Sequence, residues 1–188
     1  SSLSQLSGGE KAMTAHQAMM AIESLGYIGA HGFGIATGAL VAQKLGANKP
    51  DEAVQAGIIS AKLSTGVLCC IGVFFYVCAE PLISVFTDNQ VIIDEGVRCM
   101  TIAALAQPLM ALTDVFAGAL RGAGDTKTPM QAAIAGPLLI RLSACWYFAF
   151  YLNWGLWGIW LGSTLDWSVR ALWLGMVFFR QKWISIVI

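Results

Sequence analysis

The sequence is poor in charged residues. Asp, Glu, Lys and Arg make up only 12% of its 188 residues, whereas they make up about 25% of an average soluble domain. Hydrophobic residues account for 57%, and the mean hydropathy is +0.68. This composition argues against a soluble protein and predicts an integral membrane protein whose main partner is the lipid bilayer.

An excess of positive charge is also missing. Lys and Arg together number 11, as do Asp and Glu, and no segment is rich in basic residues. Nucleic-acid-binding proteins usually present a basic patch to the phosphate backbone. We therefore expect no nucleic-acid partner.

Two further absences concern processing and metals. The first residues, SSLSQLSGGEKAM, show no signal peptide, and the chain does not start with Met, so we expect a fragment of a longer protein. The five cysteines form no CxxC pair, and the two histidines lie fifteen residues apart. Because metal sites need closer ligand spacing, we expect no metal ligation by Cys or His.

Apolar runs dominate what is present. A helix needs ~20 mostly apolar residues to cross a bilayer, and no run shows the alternation of a membrane barrel strand. Gly46 is expected to end the first helix and Asn48 to act as a cap. The predicted fold class is all-α, a polytopic membrane helix bundle with about five transmembrane helices, over residues 12–43, 53–79, 91–120, 129–152 and 156–180.

Basic residues lie mainly in alternate loops, which predicts the orientation. Arg98 is the only basic residue in the opposite loops, which also carry an aromatic cluster typical of a membrane interface. The loops predicted to face the cytoplasm, together with the C-terminus, contain Lys44, Lys49, Arg121, Lys127, Arg180 and Lys182.

Small residues recur four apart on three predicted helices, at Gly34/Gly38, Gly118/Gly122 and Gly158/Gly162. Lipid supplies no hydrophobic drive for helix association, so membrane helices pack closely through such residues. We expect these glycines to lie at helix contacts.

Six ionisable residues interrupt the spans: Glu23, Lys62, Asp114, Arg141, Asp166 and Arg170. Such residues cost at least ~2.5 kcal/mol at a helix centre, so they usually pair or line a cavity. Lys62 is predicted to extend its ammonium toward the interface.

Helical rise places Arg141 and Asp166 near the midplane, at ~18 Å and ~21 Å along their helices. An ion pair is predicted there, either structural or functional. Asp166 and Arg170 lie four apart on one helix and can also neutralise each other. Asp114 either reaches the cytoplasmic interface or has a functional role.

Glu23 has no Lys or Arg within two helical turns. His16, Glu23, Tyr27 and His31 fall within about 80° of one helix face. This polar stripe predicts a face that lines water or a cavity, with Glu23 as a candidate protonation site. The alternative is a protonated glutamate hydrogen-bonded between helices, with two incidental histidines.

Four segments resemble the C-terminal half of MATE (multidrug and toxic compound extrusion) transporters. They are GALVAQKLGANKPDEA, ALRGAGDTKTPM, the arginine in GPLLIRLSACWY, and GLWGIWLGSTLDWSVRAL. The resemblance implies twelve helices in two lobes around a cavity, of which this chain holds the last five. It also implies a missing N-terminal lobe as partner, and location in the cell inner membrane as a multi-pass protein.

The resemblance further implies export of drugs or organic cations in exchange for protons or sodium. It implies neither enzymatic activity nor a cofactor other than that coupling ion. The NorM-like branch has a cation-site aspartate that aligns with Met110, one turn from Asp114, and a glutamate on a helix that this chain lacks. Alternatives are a lipid-linked precursor flippase of the same superfamily, and a non-transporting helical fragment or assembly partner.

Overall fold

The computed structural model describes the backbone of residues 2–85 and 89–186. Side chains are described from residue 17 onward in these ranges, except at 18, 19, 22, 25, 185 and 186. The described residues are helices joined by short turns, without a strand. The predicted all-α fold class is confirmed.

The helices are α1 (Ser2–Gly46), α2 (Pro50–Val77), α3 (Ala79–Ser84), α4 (Gln90–Gly122), α5 (Lys127–Ala135), α6 (Leu142–Trp146) and α7 (Gly155–Phe179). Two π-helices, Gly136–Arg141 and Tyr147–Tyr151, join α5 and α6 into one long segment, Lys127–Tyr151, which we call the composite helix. A 3₁₀-helix, Lys182–Ile186, follows α7.

Five long helical segments correspond to the five predicted spans, although α1 begins ten residues before the predicted boundary. Among the described residues, α2, α4 and the composite helix are long and apolar enough to cross a membrane. The other two, α1 and α7, carry Glu23, Asp166 and Arg170, which reduce their apolar character. That α1 and α7 also cross the membrane stays a prediction.

The turn between α1 and α2 differs in part from its prediction. Helix α1 ends at Gly46 as expected. Asn48 does not precede α2 as its N-cap: it adopts a left-handed φ of 58° within the turn, and Lys49 occupies the cap position without a side-chain hydrogen bond. Asn enters the left-handed region more readily than most residues, which suits it to this turn.

Helix α4 is the centre of the bundle, with α1, α2 and α7 packed around it. In its most apolar stretch 61% of the residues are buried, against 11% in the composite helix. The composite helix therefore presents large apolar side chains outward, including Leu138, Leu139 and Phe150. Such a surface suits contact with lipid or with further membrane helices.

Glycines hold α1 against α4, as their spacing predicted. A Cβ atom added at Gly34 would lie 2.6 Å from the backbone oxygen of Asp114, and one at Gly38 would lie 2.9 Å from that of Gly118. Cβ atoms at Gly118 and Gly122 would overlap the carbonyl groups of Gly34 and Gly38. From one contact pair to the next, the residue numbers increase in both helices, so α1 and α4 run parallel.

The third glycine pair is also a helix contact. Added Cβ atoms at Gly158 and Gly162 would lie 2.8 Å from backbone atoms of Phe148 and Cys145, so α7 packs closely on the composite helix. Within the composite helix, Gly136 faces the side chains of Asp166 and Arg170, where a Cβ atom would overlap an Asp166 oxygen.

Candidate functional site

A cavity of about 410 Å³ lies between α1, α4, the composite helix and α7. Its volume falls within the range of ligand pockets. Among the described residues, its walls combine one carboxylate, one guanidinium group, a phenol, two indoles, a thiol, two hydroxyls and three apolar side chains. The lining residues are Met20, Glu23, Ser24, Tyr27, Met110, Arg141, Cys145, Ile159, Trp160, Ser163 and Trp167.

The polar stripe predicted on α1 reaches this cavity through two of its four residues. Glu23 and Tyr27 line the cavity, one helical turn apart. His31 lies one further turn along and is not among the lining residues. The side chain of His16 lies outside the described residues. Of the described side chains of the stripe, Glu23 and Tyr27 therefore line the cavity, and the roles of all four residues stay predictions.

Arg141 and Asp166 form the ion pair that their depths predicted. Arg141 Nη2 lies 3.1 Å from Asp166 Oδ2. Arg170 Nη2 lies 3.0 Å from the same oxygen, as expected for residues four apart on a helix. The Asp166 side chain is wholly buried, whereas 37% of the Arg141 side chain is exposed. One buried carboxylate therefore binds two guanidinium groups, and the more accessible of these lines the cavity.

Trp167 connects this ion cluster with the cavity wall. The guanidinium carbon of Arg170 lies 4.0 Å from the centroid of the Trp167 ring, and that of Arg141 lies 5.7 Å from it. These distances are typical of cation–π contacts. The Trp167 ring also packs at 6.4 Å from the ring of Tyr27. The aromatic wall of the cavity and the charged cluster are thus in direct contact.

Asp114, a candidate functional residue, and His31, a residue of the predicted polar stripe, contact each other and are not among the residues that line the cavity. His31 Nδ1 lies 3.6 Å from Asp114 Oδ1, and the Asp114 side chain is only 14% exposed. The His31 ring stacks on Tyr27 at 6.0 Å. Asp114 lies one helical turn beyond Met110, which lines the cavity, and at that height it contacts α1 through His31.

Two features, one of the cavity and one of the neighbouring contact between α1 and α4, had no signal in the linear sequence. Arg141 shares the cavity with Glu23 although 118 positions separate them. Gln107 is fully buried in α4, and Gly26 on α1 leaves room for its side-chain amide. The buried Gln107 amide could not be predicted because it carries no charge. The Glu23–Arg141 arrangement could not be predicted because it depends on which helices become neighbours.

Two solved structures of membrane transporters have a similar arrangement of helices. The crystal structure of the eukaryotic MATE transporter AtDTX14 matches 94% of this chain and 39% of its own chain, with a TM-score of 0.86 and 20% identity. A MOP superfamily transporter from Pyrococcus furiosus, whose binding pocket of reverse polarity suggests a different function, matches 96% of this chain and 42% of its own. Its TM-score is 0.78 at 19% identity. These likenesses show the fold.

Relatives by sequence carry the name "Probable multidrug resistance protein NorM". The protein from Thermotoga maritima is 28% identical over 180 residues, which are 95% of this chain and 38% of the relative. The protein from Brucella suis is 30% identical over 169 residues, 87% of this chain and 36% of the relative. The chain thus spans well under half the length of these relatives. The MatE family model matches residues 1–147, and the chain belongs to the MatE family.

Proposed function

We propose that this chain is part of one lobe of a secondary active antiporter that exports drugs or organic cations in exchange for protons or sodium. The observation that carries the proposal is the position of Glu23 in the wall of the 410 Å³ cavity. Membership of the MatE family and the NorM relatives support it. The remainder of the transporter, including the N-terminal lobe, would complete the path.

The charges around the cavity give Glu23 a specific role in this proposal. Glu23, Asp166, Arg141 and Arg170 comprise two carboxylates and two guanidinium groups. Asp166 is occupied by both arginines, so Glu23 is the carboxylate available to a ligand in the cavity. Binding of a proton, a sodium ion or an organic cation at Glu23 would in each case add one positive charge to these four side chains. They would therefore compete for Glu23, which is the basis of exchange.

The remaining walls suit flat, apolar cations. Tyr27, Trp160 and Trp167 offer aromatic surface, and Met20 and Met110 offer flexible thioethers. Aromatic faces attract cations, and methionine adapts to ligands of different shape. This combination supports broad rather than narrow substrate selection.

Exchange also requires two states of the transporter with different affinities. In inverted-repeat transporters, alternating access comes from one lobe rocking against the other about a central site. Binding of the coupling ion at Glu23 would favour one state of the transporter, and binding of the substrate there would favour the other. His31 and Asp114, which contact each other beside Tyr27, are candidates for sensing that change.

The test uses the intact protein reconstituted in proteoliposomes, with ethidium as the organic cation. Glu23→Gln removes the ionisable carboxylate with little change in shape. It should abolish proton or sodium movement driven by ethidium, while the protein remains folded. Glu95→Gln, the same change at an exposed site on α4 outside the cavity, should leave exchange intact.

Three results would contradict the proposal. Wild-type exchange by Glu23→Gln, with wild-type pH dependence, would show that the carboxylate is structural. Movement of lipid-linked precursors without drug-stimulated ion exchange would identify a flippase. The absence of any transport under every gradient would indicate a non-transporting fragment or assembly partner.

We also propose that the C-terminus and the basic loops face the cytoplasm. The helix directions support alternation, since α1 and α4 run parallel. Single cysteines placed at Lys44, Lys49, Lys127 and Lys182, in a protein without native cysteines, should resist an impermeant thiol reagent outside intact cells. A cysteine at Arg98 should react. Rapid labelling of any two of these four cysteines from outside would show that the predicted topology is wrong.

A further inference from the structure

A second, larger cavity lies on the other side of the bundle. It has a volume of about 1010 Å³ and runs between α2, α4 and α7. Its walls are mainly apolar, with Ile58, Leu109, Leu112, Phe116, Leu172 and Met176 among them. Because none of the described residues lines both this cavity and the 410 Å³ cavity, it is a separate feature, which we call the α2–α7 groove.

Two cations, Lys62 and Arg180, line this otherwise apolar groove. Both side chains are exposed. In the described part of the chain, no carboxylate lies within 4.0 Å of either cation. A charged side chain facing hydrocarbon is costly. The groove therefore presents positive charge that lacks a protein counter-ion in the described structure.

The two cations can approach one another along the groove. Gly57 of α2 packs against Phe178 of α7, which fixes the relative heights of the two helices. Lys62 lies five residues, ~7.5 Å, deeper in the bundle than this contact, and Arg180 lies two residues, ~3 Å, toward the end. A lysine side chain at such a depth extends toward the interface, and so toward Arg180.

We propose that the α2–α7 groove binds an anionic phospholipid, with an acyl chain along the apolar wall and the phosphate group between Lys62 and Arg180. Apolar walls with cations at one end match the two parts of such a lipid. Basic pockets between helices on the cytoplasmic side are a recognised way to bind acidic headgroups. Lys62 and Arg180 line the groove at the end of the bundle whose loops carry the excess of basic residues.

Charge argues against the other occupants. An organic cation would meet two like charges in this groove. A zwitterionic lipid brings a compensating positive group and gains less from the pair. A helix from elsewhere in the transporter would have to place its own carboxylate opposite both cations. The proposal does not depend on the transport function, because it concerns a different surface.

The test compares the thermal stability of the purified intact protein in detergent with added phosphatidylglycerol or phosphatidylcholine. Phosphatidylglycerol should raise the Tm more, and native mass spectrometry should retain it in preference to phosphatidylcholine. Each cation near a membrane surface is worth about fivefold in affinity for acidic lipid. Lys62→Gln/Arg180→Gln should therefore weaken phosphatidylglycerol binding roughly 25-fold by the same rule.

Two controls separate charge in the groove from charge in general. Lys127→Gln removes a cation from the same predicted side but outside the groove, and should keep the preference for phosphatidylglycerol. Lys62→Arg/Arg180→Lys conserves both charges and should keep it too, which also guards against loss through misfolding. Equal stabilisation by the two lipids, or an undiminished preference in the Gln double variant, would overturn the proposal. So would a failure of the intact protein to bind phosphatidylglycerol, which would show that the groove is covered by protein.

Discussion

Helices α1 and α4 are in contact along most of their shared length, but the two ends of this interface differ. At one end, Gly34 and Gly38 press against Gly118 and Gly122, backbone against backbone. At the other end, Glu23, Tyr27 and Met110 line an open cavity. We call these regions the glycine end and the cavity end. The same helix pair is in close backbone contact through glycines at one end and lines a cavity with large side chains at the other.

This difference indicates how the two regions are stabilised. Close backbone approach brings many atoms into van der Waals contact, which is a main source of stability between membrane helices. The cavity end borders an open volume instead, and the strong interaction nearest to it is the Arg141–Asp166–Arg170 cluster, which joins the composite helix to α7 beside the cavity. We infer that the glycine end is stabilised by shape and the cavity end by charge.

The largest effect is expected from Asp166→Asn at the cavity end. Asp166 is wholly buried and bound by two guanidinium groups, and loss of one member of a buried ionic group typically costs about 3–5 kcal/mol. Arg141→Gln should cost less, because Arg141 is partly exposed and Arg170 still binds Asp166. Thermal or denaturant unfolding in detergent measures both changes, with Asp94→Asn at an exposed site as control.

A double-mutant cycle tests whether the cluster acts as a unit. The costs of Asp166→Asn and Arg141→Gln should not add, because both remove the same contact. Since Arg170 shares the carboxylate, an apolar replacement must include all three residues. Arg141→Met/Asp166→Leu/Arg170→Met should destabilise less than Asp166→Asn alone. Simple additivity of the two single changes would show that the ion pair contributes nothing.

A smaller loss is expected at the glycine end from Gly118→Ala. The new methyl group would overlap the carbonyl of Gly34 and force α1 and α4 apart, and overpacking typically costs about 1–3 kcal/mol. Gly32→Ala is the matched control, since no atom lies within 4 Å of its added Cβ. Ala also favours a helix over Gly, so the control should be neutral or more stable in the same unfolding measurement. Equal effects of Gly118→Ala and Gly32→Ala would show that close packing against Gly34 does not stabilise the glycine end.

The glycine end could be predicted from the sequence more completely than the cavity end. The contact at the glycine end could be predicted from the spacing of glycines within each single helix, namely Gly34 with Gly38 and Gly118 with Gly122. Arg141 and Asp166 could be paired because rise per residue gives depth. Asp114 was harder to place, because its contact with His31 depends on how α1 is rotated against α4.

Several cavity residues could not be predicted for the same reason. Cys145, Ile159 and Trp160 resemble any other side chain in a membrane helix, and their spacing does not distinguish them. They share a cavity only because four helical segments surround one space. A single sequence shows periodicity and depth along each helix, but not the neighbours of that helix.

The smallest effect is expected beyond the glycine end, where Glu52 links α1 to α2 at the surface. Glu52 precedes the predicted span, and Lys44 and Lys49 donate to it at 2.6 Å and 2.7 Å. Hydrogen bonds from Lys44 and Lys49 lower the pKa of Glu52 from its ordinary 4.5 to about 2. Exposed pairs of this kind contribute little and are screened by salt.

The pH dependence of that contribution has a defined sign. Because the pKa of Glu52 is lower in the folded protein than in the unfolded chain, the pairs stabilise the protein above pH 4.5, and this contribution is lost as the pH falls toward about 2. The difference in the free energy of unfolding between wild type and Glu52→Gln should be small at neutral pH, shrink in high salt and vanish in acid. Asp51→Asn, on the same first turn of α2, controls for the attraction between acidic residues and the helix N-terminus. A Glu52→Gln effect as large as that of Asp166→Asn would mean that exposed and buried ion pairs stabilise this protein equally.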